Sequence, residues 1–217
     1  IAVFAMYYNY ARFGSVLDFG ANYNLTSNDM TKRGWQWDRT GLGLFVYLFQ
    51  PPRILGVFPF IYDTLASSNF TNYLGTTIVE DNYGGLIMNH IILLLPLLPF
   101  VVKKYCDRMT AALGGVLTVS ALVIVVADTQ MAGLLGRYMM DFGWMLTIAS
   151  ILIYMSIEKK SNDRALKWFI HAALIVSVLW GVASETLMFL SFESENRLLE
   201  RVPHLYYWVQ DMVEFWL

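Results

Sequence analysis

Cysteine is nearly absent from this chain, and charge is scarce. The one cysteine, Cys106, has no partner for an internal disulfide and cannot by itself build a thiolate metal site, so the redox compartment is left open. Charged residues fill only 15% of the 217 positions, against about 25% in ordinary soluble domains. Fifteen basic side chains are scattered among seventeen acidic ones, for a net charge of −2. No face is basic enough to neutralise a row of phosphates, which excludes nucleic acid as a partner. No HExxH, CxxC or carboxylate cluster with metal-ligand spacing occurs either, so no metal site and no resident cofactor is identified.

What is present is apolar. Hydrophobic residues make up 57% of the chain and aromatics 16%, above the 45–50% apolar content of about the average soluble domain. The excess lies in long uncharged runs that call for a lipid solvent. Residues 84–102 and 109–127 contain no Asp, Glu, Lys or Arg, while 138–157 carries one Asp near its start and 168–187 one Glu near its end. Each is long enough to cross a bilayer, which takes about 20 residues. Backbone facing lipid has to satisfy its own hydrogen bonds, so each run is predicted as an α-helix, the first bent at Pro96 and Pro99. The expected fold class is therefore an all-α polytopic membrane protein with about four full transmembrane helices. Ile1 to Ala11 is uncharged but too short to cross. It reads as the end of a preceding transmembrane helix, which would make the chain the C-terminal part of something longer.

Loop charge sets the expected orientation. KKYCDR and EKKSNDRALK join the first helix to the second and the third to the fourth, and both are rich in Lys and Arg, which places them in the cytoplasm. The segment 12–83 and the tail 188–217 then lie outside, flanking a membrane bundle over 84–187. Within the outer segment, Ser27 and Asp29 offer a helix start, Pro51-Pro52 a stop, and Trp37, Leu44 and Leu48 a shared apolar face. This predicts a helix lying in the interface, with Trp35, Trp37, Tyr47 and Phe49 at headgroup level. GVFPFIY at 56–62 is too short to cross and is expected to be re-entrant or interfacial. Asn24 and Asn69 stand in glycosylation sequons, which matter only in a eukaryotic secretory route.

Ionisable residues in lipid are costly, so their depth is informative. His90 falls roughly 9 Å below the outer end of its helix at 1.5 Å per residue. His171 falls at the cytoplasmic end, and a depth difference of roughly 15–20 Å in a core of about 30 Å keeps the two from sharing one haem iron. Asp128, Arg137, Asp141 and Glu185 gather near outer ends. Arg137 and Asp141 are four apart on one helix face. They are open to two readings: a local salt bridge, or an arginine that grips an anionic headgroup, with Tyr138 adding a hydroxyl and Asp141 orienting the guanidinium. The stretch Tyr7 to Met30, dense in Tyr, Asn, Asp and Gly, has the chemistry of a sugar-binding surface, although turn-rich interfacial loops share that composition.

YNYARFGSVLDFGANYNLT, GLGLFVYLFQPP, FPF, GRYMMDF and the ending EFWL together resemble a group of large bacterial polytopic membrane proteins that look like GT-C class glycosyltransferases. The likeness covers most of the chain, and its RY-x-x-D element is short. It implies a GT-C-like fold in the bacterial cytoplasmic membrane. It also implies a polyprenyl-phosphate-linked sugar as donor and a cell-envelope glycan, lipid or protein as acceptor, at the outer face. In that class the catalytic carboxylate belongs to the first outer loop, which would lie upstream of this chain; Asp18 is a weak candidate within it. The resemblance implies substrate-binding roles for Arg137 and Tyr138 at the lipid phosphate, Asp141 holding Arg137, and Arg12, Asp18 and Tyr23 near sugar or acceptor. A divalent cation at the phosphate is compatible with the class. The alternatives are a transporter, flippase or non-catalytic scaffold for envelope lipids and, with no motif in its favour, an accessory subunit of an electron-transfer complex.

Overall fold

The computed structural model describes residues 2–18, 20, 35, 37–64, 78–79, 81–131, 133–191 and 198–214. Three helices carry the architecture: α5 (Arg108–Met131), α6 (Met139–Lys160) and α7 (Arg164–Ser191). Before them come α1 (Ala2–Phe13), α2 (Trp37–Leu44, continued by a π-helical turn Phe45–Phe49), the two-residue strands β1 (Arg53–Ile54), β2 (Ile61–Tyr62) and β3 (Ile78–Val79), and the short helices α3 (Leu86–Asn89) and α4 (Pro99–Tyr105). Strand β4 (Gly133–Leu134) and a 3-10 turn (Gly136–Tyr138) join α5 to α6, and α8 (Leu198–Arg201) and α9 (Pro203–Val213) follow α7.

Each of α5, α6 and α7 is long and apolar enough to cross a membrane, the pattern of a multi-pass membrane protein. Their outward faces agree with a lipid solvent: Met109, Val116, Val123, Met155, Leu179 and Val182 stand exposed. The expected first span at 84–102 is not a continuous helix. After four residues α3 stops at Asn89, the chain turns at His90, and Ile91–Leu97 continues as 3-10 helix before α4 begins at Pro99. Proline is not the cause of this break, since it precedes Pro96 by six residues; Pro99 opens a helix, where its missing N–H costs nothing.

The interfacial reading of the outer segment also needs correction. Trp37 is exposed, but Val46, Tyr47 and Leu48 are fully buried and pack with Ile87, Leu93, Ala121, Val125, Phe142 and Leu146 in the main core. The helix packs into the bundle by its C-terminal end. GVFPFIY forms the turn and second strand of an antiparallel hairpin, with Arg53 opposite Tyr62 and Ile54 opposite Ile61. Leu55 and Phe60 close it through backbone bonds of 2.8 Å, so the apolar piece is short because it turns back on itself.

Close contact fixes how α2 meets α5. Gly43 lies against Thr129 so tightly that a Cβ would overlap the threonine side chain, and Gln130 Nε2 donates to Thr40 Oγ1 at 3.1 Å. A second, smaller core of Leu95, Tyr105, Ile153, Ile157 and Ile170 fills the opposite half of the bundle.

Candidate functional site

Polar groups collect where α5 ends, α6 begins and α7 ends. The Tyr47 hydroxyl donates to Gly133 O at 2.7 Å and accepts from Leu135 N at 3.0 Å, pinning the α5–α6 connection to α2. β3 pairs in parallel with β4, matching Ile78 to Gly133 and Val79 to Leu134. The Asp63 carboxylate accepts from Asn82 N at 2.8 Å. Ser191 Oγ donates to Ile61 O at 2.7 Å, and the Tyr83 hydroxyl to Ser191 O at 3.1 Å. Glu214 accepts from Phe58 N at 2.6 Å and from Gln210 Nε2 at 2.7 Å. Segments far apart in sequence thus form one folded cap on one end of the helices. The two Lys/Arg-rich turns lie at the other end, where Glu158 meets Lys167 at 3.2 Å across the α6–α7 turn.

Arg137 sits in the 3-10 turn at the foot of α6, exposed, with its guanidinium 5.5 Å from the centroid of the half-buried Tyr138 ring. Asp141, exposed in the first turn of α6, forms no ion pair with Arg137 among the described residues. Four-residue spacing predicts such a pair only on a continuous α-helix, and here the first partner lies in a 3-10 turn of different pitch. Asp128 Oδ2 is buried without a hydrogen-bond partner at the end of α5.

Arg12 and Asp18 have local partners. Arg12 donates to the Tyr8 hydroxyl at 2.8 Å and stacks over the Tyr8 and Phe13 rings. Asp18 Oδ1 accepts from Gly20 N at 2.8 Å in a tight turn. Tyr23, Asn24, Ser27, Asp29 and Asn69 lie outside the described residues. Among those residues, no group of three or more His, Cys, Asp or Glu converges as a metal site.

No family model, no curated protein and no solved structure matches the chain.

Two features escaped the sequence. Arg39, 1% exposed on α2, is the bulkiest buried polar side chain; a charged residue beside the apolar run GLGLFVYLF was the signal for it, because arginine is almost never fully buried without partners. The second is the position of His90. Its Nδ1 lies 3.3 Å from Ser177 O, and Ser177 is close to the midpoint of the 28-residue helix α7, roughly 20 Å from either end at 1.5 Å per residue. The imidazole is much deeper than residue counting along its own segment predicted. His171 Nε2 faces Glu158 at 3.6 Å, so the two imidazoles still address different neighbours.

At the Lys/Arg-rich end, burial pushes the Cys106 thiol above its ordinary range. The Thr110 hydroxyl and backbone N–H hold the Asp107 carboxyl below its usual value.

Proposed function

We propose that this chain belongs to a membrane glycosyltransferase of the GT-C type, moving a sugar from a polyprenyl-phosphate donor to a cell-envelope acceptor at the capped face of a bacterial cytoplasmic membrane. The supporting observation is Arg137, held exposed at the boundary between cap and bundle by a connection that Tyr47 fixes from below. A guanidinium in that position meets phosphate oxygens with a fork of donors and stays charged at any working pH. Tyr138 beside it supports the planar group.

In the reaction, the bond from the anomeric carbon to the phosphate oxygen breaks, a bond to the acceptor oxygen forms, and the acceptor proton passes to a carboxylate. Arg137 stabilises the departing phosphate. Asp18 Oδ1 is engaged by Gly20 and Asp128 Oδ2 is buried inside the fold, so neither is assigned as the acceptor of that proton.

The test is transfer from a radiolabelled polyprenyl-phosphate sugar in membranes carrying the protein. Arg137→Ala should lower turnover by about 100-fold, the scale of one transition-state donor. Arg137→Lys should cost about tenfold, equivalent to one charge-assisted bond of about 1.5 kcal/mol. Unchanged turnover in both variants would remove the phosphate assignment. A transporter or flippase for envelope lipids remains the second reading because of the mid-depth polar group at His90. Wild-type membranes that move the labelled lipid between leaflets without forming product would select it.

A further inference from the structure

Charge spacing on the three long helices locates the membrane boundary. The stretch between Arg108 and Asp128 on α5 is free of Asp, Glu, Lys and Arg, as are those between Asp141 and Glu158 on α6 and between Lys167 and Glu185 on α7. At 1.5 Å per residue these intervals measure roughly 30, 26 and 27 Å, close to a hydrocarbon core of about 30 Å. Asp128, Asp141 and Glu185 therefore mark one boundary, on the side of the cap. Ser191 follows Glu185 on α7 and lies roughly 9 Å beyond it. Its hydroxyl donates to Ile61 O at 2.7 Å, which sets the β1–β2 hairpin at the level of the headgroups.

Helix α9 is docked on that hairpin. The Tyr206 ring packs edge-on against Phe58 with centroids 5.0 Å apart, and Glu214, just past the end of α9, accepts from Phe58 N at 2.6 Å. A helix about 10 Å across held there reaches the edge of the acyl chains. Its side chains fall on separate lines. Tyr206, Val209 and Gln210 form a half-buried flank, with Tyr206 on the hairpin. Leu205, Trp208 and Met212, also at helical spacing, stand 40%, 58% and 60% exposed. His204 and Asp211 are exposed on a third line, on the far side of Trp208 from the docked flank. Water suits only this third line. An apolar line holding a tryptophan, set between a docked flank and a polar one, is the pattern of a helix lying in a membrane surface.

From this geometry we infer that α9 is an interfacial helix, with Leu205, Trp208 and Met212 seated at the headgroup–acyl boundary of the bilayer that α5, α6 and α7 cross, and His204 and Asp211 turned to water. Phe189, exposed in the last turn of α7, places another aromatic ring near the same level. The occupant of this face is the lipid surface and not a second copy of the chain, because three side chains fall far short of the about 20–30 residues a side that a stable protein interface uses. The inference rests on the three long helices crossing a membrane. It is independent of the transferase reading, and sugar transfer plays no part in testing it.

Spin-label accessibility reads the depth of each position. Cys106→Ser removes the only cysteine of this sequence. Label is then attached after His204→Cys, Leu205→Cys, Trp208→Cys, Asp211→Cys or Met212→Cys, with Leu179→Cys on the exposed face of α7 as the membrane reference. In phosphatidylcholine–phosphatidylglycerol vesicles, power saturation compares oxygen, which concentrates in lipid, with a nickel chelate, which stays in water. The oxygen-to-nickel ratio should be high at 205, 208 and 212, still below that at 179, and several-fold lower at 204 and 211, following the helical period of about 3.6 residues. Free nickel access along all of α9, with position 179 still shielded, overturns the proposal alone; nickel access at 179 as well overturns the membrane reading beneath it. Poor access of both reagents at 205, 208 and 212, or dipolar broadening between labels, would reveal a protein partner on this face and also overturns it.

Discussion

Tyr47 shows how much one side chain can decide in this fold. Its ring packs edge-on against Phe142 with centroids 5.5 Å apart, and its hydroxyl serves two backbone groups of the α5–α6 connection. Tyr47→Phe keeps the ring and strands a buried carbonyl and a buried N–H, so it should destabilise the fold by about 1–3 kcal/mol, measured by denaturant unfolding in detergent. Gly43→Ala forces a methyl into Thr129 and should cost about 1–3 kcal/mol by overpacking; Thr129→Ala, which removes the facing atoms, should restore part of it. Neither role was legible in the sequence. A tyrosine in an aromatic-rich run reads as interfacial by composition, and only the partner atoms at Gly133 and Leu135 make it a core residue.

At the scale of elements, the sequence located α5, α6 and α7 to within about a turn, because lack of charge over some twenty residues is itself the physical requirement for a span. It failed for Leu86–Tyr105, which is just as apolar but breaks at His90. The acceptor that makes the break tolerable is Ser177 on α7, some eighty residues away. Ser177→Ala should therefore leave Ile92 N–H unpaired and weaken the docking of this segment on α7, read as faster hydrogen exchange at Ile92. The turn after α4 offers a topological check through Cys106. A membrane-impermeant maleimide should reach it only from the side opposite the cap. Because burial raises its thiol, the thiolate fraction at pH 7 is lower than for an exposed cysteine. Labelling should start slow and approach the rate of an exposed control as pH rises through and beyond the usual thiol range; equal rates at neutral pH would contradict the burial.

The whole molecule is asymmetric along the helix axes, with a hydrogen-bonded cap at one end and basic turns at the other. The tail belongs to the cap through Glu214. Glu214→Ala leaves Phe58 N–H and Gln210 without their acceptor, so limited proteolysis of intact membranes should cut within α9 faster than in the wild type. An unchanged cleavage rate would show that the tail is held by other contacts. Arg137 and Tyr138 lie in the 3-10 turn before α6 and Asp141 in its first turn, without an Arg137–Asp141 ion pair, while Arg12 and Asp18 are engaged within their own stretch of chain.

Hydropathy and loop charge along the chain were sufficient to position three helices long and apolar enough to cross a membrane and to put both basic turns at one end, since transfer into lipid is a property of each segment by itself. Contacts between remote segments decided the rest: where a fourth apolar run gives up its helix, how deep His90 lies in the bundle, and that Tyr47 belongs to the core. Those outcomes depend on which polar atom meets which across the bundle, and a local pattern of residues does not hold that information.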